Sequence, residues 1–189
     1  FGETAPALYN AIKGKEKILV LSRVSSYLAV TFMKPNYVFA DSLVILPFEN
    51  HCFLGLFQSR IHECWVKFFA SSLGDQIRYS PSDCLETFPI PKILNDSNLT
   101  QIDLEVKQKL EIVSKEYDAF RSELMKEFNQ GLTSLFNDFH NPINKSLKIG
   151  KLRELHQKLD EHVLNIYKWN DISLIYGFGL EYLEIDENL

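Results

Sequence analysis

Side chains able to hold a nucleic acid gather in three short stretches of the first half of the chain: Ser22-Arg23-Val24-Ser25, Lys34 at a Lys-Pro-Asn turn, and Asp75-Gln76-Ile77-Arg78-Tyr79-Ser80. The forked groups of Arg and Gln match the hydrogen-bonding edges of guanine and adenine in the major groove, while Ser, Tyr and Lys suit phosphate oxygens. Residue type alone leaves a second role open, because Arg23 or Arg78 serves equally well as a structural ion-pair partner.

Other chemical patterns are missing. The chain has no G-x-G-x-x-G or Walker loop, no H-E-x-x-H and no G-x-S-x-G elbow. Tyr176-Gly177-Phe178-Gly179 lacks the third glycine and the following helix of a cofactor-binding loop. In His62-Glu63-Cys64 the groups are one and two residues apart, so a helix points them in different directions. Cys64 is expected to face the core with His62 and Glu63 flanking it, and His51-Cys52 is read in the same way. His140 is expected at a helix end as a cap and dipole partner, and His156 beside a core position. Glu181, Glu184, Asp186 and Glu187 have no apolar enclosure and read as a solvated end. Cys52, Cys64 and Cys84 form no C-x-x-C pair and are odd in number, so they are expected to be reduced core thiols. No catalytic residue, cofactor site or metal site is expected on this chain.

At 189 residues, 46% hydrophobic and 24% charged, the chain fits one large globular domain or two small ones. Its longest apolar stretches, such as Leu43 to Phe48, fall far short of the roughly 20 residues that cross a bilayer. The opening Phe-Gly-Glu-Thr-Ala-Pro carries no secretory pattern, so a cytoplasmic protein without a membrane partner is expected. The missing initial Met raises the prospect of a piece of a longer polypeptide. Charge is uneven: residues 1–92 hold nine Lys and Arg against eight Asp and Glu, and the remainder is acidic within a net charge of −5. A chain that gripped DNA by counterion release alone would be expected to carry a basic face.

The elements that must position these groups follow from periodicity. Pro6 to Ile12 reads as a helix stopped at Gly14. Lys17 to Val24, Tyr27 to Met33 and Tyr37 to Phe48 read as three strands of an antiparallel meander, with Pro47 where the last leaves the sheet. Phe53, Leu56, Phe57, Ile61, Cys64, Trp65 and Phe68 predict one amphipathic helix over 52–69. Ser71 to Lys92 reads as extended loop with one edge strand over Leu85 to Ile90. Val106, Leu110, Val113, Tyr117, Phe120 and Leu124 mark a long helix, and Leu152, Leu155, Leu159, Val163 and Ile166 mark its partner. The expected fold is α+β: a small, mostly antiparallel sheet packed on an amphipathic helix, followed by a long antiparallel helical pair. The expected domains are 1–94, α+β, and 95–189, helical with an irregular end.

Four runs carry a resemblance: Ser22-Arg23-Val24-Ser25, Val38-Phe39-Ala40-Asp41, Gln58-Ser59-Arg60-Ile61-His62-Glu63-Cys64-Trp65, and Arg78-Tyr79-Ser80-Pro81-Ser82-Asp83-Cys84-Leu85-Glu86-Thr87-Phe88-Pro89. Together they resemble the target-recognition region of MmeI-like single-chain restriction-modification enzymes. Gln130-Gly131-Leu132-Thr133, Phe139-His140-Asn141-Pro142, Leu152-Arg153-Glu154-Leu155-His156 and Tyr167-Lys168-Trp169 are similar to the helical segment that follows it in that family. The resemblance implies a non-catalytic module that selects a double-stranded DNA sequence. It also implies an upstream adenine-N6 methyltransferase domain using S-adenosylmethionine, and an endonuclease domain, on the same polypeptide. Under it the DNA face is expected at Arg23, Ser25, Lys34, Gln76, Arg78, Tyr79 and Ser80. Gln76 and Arg78 suit base edges, and Ser25, Lys34 and Ser80 suit phosphate. Because Arg78-Tyr79-Ser80 is shared pattern, a structural Arg78 with reading by Ser71 to Gln76 is the contrary arrangement. A protein-interaction module built on the helical pair is the alternative of another class.

Overall fold

The computed structural model describes residues 6–73 and 76–174. Pro6–Ile12 forms helix α1, and Gly14, with φ of 79°, ends it in the left-handed conformation that glycine adopts most easily. Strands β1 (Ile18–Ser22), β2 (Val24–Ser25), β3 (Thr31–Met33) and β4 (Leu43–Leu46) follow, and Pro47 leaves the sheet where expected. The meander is corrected. β1 is central and antiparallel to both β3 and β4, with Leu19 opposite Phe32 on one side and Leu46 on the other.

Two of the expected strands are shorter for identifiable reasons. Over 27–30 the buried side chain of Gln58 takes the place of a neighbouring strand: Oε1 accepts from the Val30 N–H at 2.9 Å and Nε2 donates to the Leu28 carbonyl at 2.9 Å. The strand expected over 17–24 breaks at Arg23. Its N–H donates to the Ser42 carbonyl at 2.8 Å, while its carbonyl accepts from the Tyr79 N–H at 2.7 Å. β2 therefore leaves the first sheet and enters a second.

The single helix expected over 52–69 is two helices, α2 (His51–Gln58) and α3 (Arg60–Phe69), broken at Ser59 with ψ of 155°. The Ser59 hydroxyl donates to the Leu56 carbonyl at 2.7 Å and accepts from the His62 N–H at 3.3 Å, so one side chain closes α2 and caps α3. Asp160, from far along the chain, accepts the Arg60 N–H at 2.8 Å. The break resets the helical phase. His62 is buried at 1% exposure and Cys64 is exposed, which reverses the expected orientation of the two; Cys52 and Cys84 are buried free thiols as expected.

The stretch expected as loop contains β5 (Ser71–Leu73), β6 (Gln76–Arg78), a π-helical turn at Pro81–Leu85 and the short helix α4 (Lys92–Asn95). Leu85 to Ile90 forms no strand. Helices α5 (Gln101–Glu127), α6 (Leu132–His140) and α7 (Leu147–Tyr167) complete the described chain, and Thr100 and Asp103 close a capping box at the start of α5. α5 and α7 run antiparallel. Lys148 at the start of α7 pairs with Glu127 at the end of α5, the Tyr117 and His156 rings meet edge-on at 5.5 Å, and Lys168 acts electrostatically on Asp103. One apolar cluster extends from Leu21 and Val44 through Phe53 and Phe57 to Leu110, Tyr117, Leu155 and Val163, so the sheet packs on α2 and α2 packs on the helical pair. Tyr176-Gly177-Phe178-Gly179 and the acidic residues 181–187 lie outside the described residues, as does Asp75.

At Gly55 α2 lies directly against α5: a Cβ added there would fall on Ser114 Oγ, with Leu110 beside it. Gly55→Ala should lower stability by roughly 1–3 kcal/mol, as overpacked cores do. Adding Ser114→Gly should recover part of the loss in urea titrations of the two variants.

His156 is buried and His140 half-buried, and desolvation pushes each imidazole down to about 4; in buried His62 the same cause pushes it down to about 3. His140 stacks on Tyr27 at 4.3 Å, and as a neutral ring it is not the charged dipole partner expected at that helix end. The unfolded chain binds these protons near pH 6.5 and the fold resists them, so these groups contribute stability in full above about pH 6.5. That contribution should drain away as pH falls toward about 4. Urea midpoints measured between pH 7 and 4 should show the decline, and His156→Leu should make it shallower.

Candidate nucleic-acid interface

The second sheet has the order β2-β6-β5, with β6 in the centre. Arg78 lies opposite Ser71 on one side and Val24 on the other, and Ile77 lies opposite Ser25. Residues directly opposite on antiparallel strands share a face, and successive residues alternate. Ile77 packs against the core, whereas Gln76, Arg78 and Ser71 are exposed. β6 thus has an inner side, Ile77, and an outer side on which Gln76 and Arg78 stand next but one to each other.

Tyr79 continues the alternation inward. It is 2% exposed, and its hydroxyl lies 3.1 Å from His62 Nε2. Phe88 meets the His62 ring edge-on at 4.4 Å. Burial raises the Tyr79 phenol and lowers the His62 imidazole, so the pair is neutral and holds β6 from behind. Tyr79 therefore stands in the core and not on the open side of the ribbon. Ser25 is on the inner side too, where its Oγ accepts from the Tyr27 N–H at 3.3 Å. Ser80 is half-buried, precedes the π-helical turn and shares a hydrogen bond of 2.8 Å with the Ser82 hydroxyl.

Arg23 sits at the passage between the two sheets. Its Nε donates to the Asp41 carbonyl at 3.0 Å, and its guanidinium is 3.7 Å from Asp41 Oδ1, so part of its fork is engaged by the corner before β4. Lys34 is exposed just beyond β3, and the pairing of Met33 with Ile18 places it by the start of β1. Arg23 follows the other end of β1, about 16 Å away at the rise of an extended strand. Of the seven candidates, the structure brings Gln76 and Arg78 together on one open face. It turns Ser25 and Tyr79 inward, engages Arg23 and Ser80 locally, and leaves Lys34 at the far end of the first sheet.

Ser71, opposite Arg78 and exposed, belongs to the open face and was not among the seven. Its signal was the Gly74-Asp75 dipeptide between Ser-Ser-Leu and Gln-Ile-Arg, which has the composition of a two-residue hairpin turn. Among the described residues no group of three or more His, Cys, Asp and Glu is placed to hold a metal ion, and no helix is long and apolar enough to cross a membrane.

Residues 3–92 match the family model described as MmeI, target recognition domain. DNA methyltransferase A of Bacillus subtilis (strain 168) is 31% identical over 132 residues, which is 70% of this chain and 12% of that protein. The present chain thus corresponds to a small part of the relative. A solved structure of the Type IIL restriction-modification enzyme MmeI in complex with DNA shares the fold over 86% of this chain and 20% of that one, with a TM-score of 0.64 at 20% identity. The sheet that presents Gln76 and Arg78, together with the helices α2 and α3 that brace it from behind, lies within residues 3–92, the part of the chain that is similar to the MmeI target recognition domain.

Proposed function

We propose that this chain selects the double-stranded DNA sequence on which a bacterial restriction-modification methyltransferase acts, and that it carries no catalytic residue itself. In this reading, adenine-N6 methylation with S-adenosylmethionine belongs to an upstream domain of the same polypeptide. The observation that supports it most is the exposed pair Gln76 and Arg78 on a ribbon whose other side is fixed in the core, within the residues that match a target recognition domain.

The dimensions suit the task. The major groove admits a two-stranded ribbon. Side chains two apart on a strand are separated by about 6.6 Å, close to two base-pair steps of about 3.4 Å each, so Gln76 and Arg78 can address bases two steps apart. Gln matches adenine and Arg matches guanine, each through two hydrogen bonds. Ile77, Tyr79 and His62 fix the strand beforehand, which lowers the ordering cost of binding. Ser80 and Lys34 suit phosphate, Lys34 from the far end of the first sheet. Extruding an adenine for methylation requires that something else keep register on the flanking bases, and this module would supply that hold. The scaffold alternative finds less support, because Leu110, Val113, Tyr117 and Leu124 of the α5 stripe are buried within the protein.

Arg78→Ala, introduced into the full-length parent enzyme, should relax sequence choice at one base pair and weaken cognate binding by roughly 1–3 kcal/mol. Because the side chain is exposed, its removal should change unfolding free energy by no more than about 0.5 kcal/mol. A variant that loses much more stability than that, while the fraction still folded keeps its base preference, would assign Arg78 a structural role.

Tyr79→Phe should behave in the opposite way. Removing the hydroxyl leaves buried His62 without that partner, at a cost of roughly 1–3 kcal/mol of stability. The base preference of the refolded enzyme should be unchanged in a binding-site selection assay.

A further inference from the structure

Val24 of β2 and Ser71 of β5 lie directly opposite Arg78 on its two sides, so the three residues form one row across the open face of the second sheet. The backbone pattern sets its spacing. Tyr79 donates its N–H to the Arg23 carbonyl at 2.7 Å, so the next pair, Val24 and Arg78, is of the kind without hydrogen bonds, with Cα atoms about 4.5 Å apart. The backbone groups of Arg78 therefore point to β5, and its pair with Ser71 is of the hydrogen-bonded kind, about 5.5 Å apart. The row is about 10 Å long, within the roughly 12 Å width of the major groove. Val24 is half-exposed, and among the described residues it is part of neither apolar cluster, whereas Ile77 and Tyr79 of the neighbouring stretch pack in or against the larger one. An apolar side chain thus stands beside an exposed guanidinium without a place in the core.

We propose that this row reads both halves of one G·C base pair, with Arg78 on the guanine and Val24 against the C5 edge of the paired cytosine. The inference rests on the reading that the ribbon lies in the major groove with its strands along it, so that the row runs across the groove from one DNA strand to the other. Guanine offers N7 and O6 to the Arg78 fork. The rest of the pair's edge carries the cytosine amino group and, beyond it, C5, the position that bears the methyl group in thymine and forms the apolar end of the edge. The chemistry of the two flanks fixes the order. Ser71, on the other side of Arg78, faces the backbone of the guanine strand, where its hydroxyl donates to a phosphate oxygen. Reversing the row would set Val24 against phosphate and desolvate a charge with no hydrogen bond in return. The substrate defined in this way is a duplex in which an apolar side chain senses the C5 substituent of one cytosine.

The test uses the full-length parent enzyme and its cognate duplex, with 5-methylcytosine in place of each cytosine in turn. Arg78→Ala identifies the base pair concerned, as the one at which sequence choice relaxes. Methylating the cytosine of that pair should tighten binding by the unaltered enzyme by about fourfold, the worth of one further buried methyl group. In Val24→Ala the effect should fall below about twofold, because the apolar partner is gone. Ser71→Ala should weaken binding to cognate and other duplexes alike and lower the slope of log K against log salt by about one. Equal or weaker binding of the duplex methylated at that pair would overturn the proposal. So would a methyl effect that survives in Val24→Ala, or relaxation by Arg78→Ala at an A·T pair. If Arg78→Ala leaves base choice intact, the underlying reading of the ribbon falls, and this inference with it.

Discussion

The architecture depends on the helix break at Ser59 and on the buried polar contacts that make it tolerable. A continuous helix could not both press Gly55 against α5 and turn His62 and Val66 toward the second sheet. The break exposes backbone groups in a dry environment, and each needs a partner. Ser59 supplies one cap and Asp160 the other. Beside them Gln58, 2% exposed, accepts from both the Val30 N–H and Arg121 while donating to the Leu28 carbonyl. Arg121, 1% exposed, balances its charge against Asp118 at 2.9 Å. A buried charge is expensive when left alone and tolerable when paired and hydrogen-bonded, so this network commits α2, α3, α5 and α7 to one relative placement.

The placement determines what the second sheet can present. Arg23 hands the chain from one sheet to the other, which is why its backbone bonds run in two directions and its side chain lies against Asp41. β6 then divides its residues by strict alternation, Ile77 and Tyr79 inward and Gln76 and Arg78 outward. A slip of one residue would bury Arg78 and expose Ile77, so the His62 contact to Tyr79 fixes register as well as position. Outer residues of such a strand can be exchanged without disturbing the inner ones. Within Arg78-Tyr79-Ser80 it is the buried Tyr79 whose contacts hold the strand, while Arg78 is exposed.

The long helices were legible because a period near 3.6 persists over many turns, whereas the Thr100–Asp103 capping box that starts α5 emerged only with the structure. The α+β class was legible for the same reason, together with the apolar run of β1, Ile18-Leu19-Val20-Leu21. Strand order was not, because it is set by long-range pairing, and the side chain that replaces a strand at Leu28 and Val30 belongs to a glutamine some thirty residues later. Strands of two and three residues are too short to show alternation. The break at Ser59 carries neither Pro nor Gly, and a single non-helical residue reversed the facing of His62 and Cys64. Residue types located the stretch that holds the open face. Which of its members face outward required the register.

The charge distribution bears on how such a module would share its task. Many described cations already have carboxylate partners: Lys15 with Glu49, Lys67 with Glu63, Lys115 with Glu111 and Lys148 with Glu127. Arg153 donates to the carbonyls of Phe139, Asn141 and Asn144 and fastens the loop between α6 and α7. With a net charge of −5, the chain has little to offer phosphates at large. The sequence-independent part of DNA affinity scales with the phosphates neutralised, so a reader with net negative charge contributes little of it. Its base contacts would then form a larger fraction of what it contributes, and a wrong sequence would forfeit most of that contribution. The net charge is therefore compatible with the proposed reading, in which discrimination would lie in the ribbon and general affinity would come from the rest of the parent enzyme.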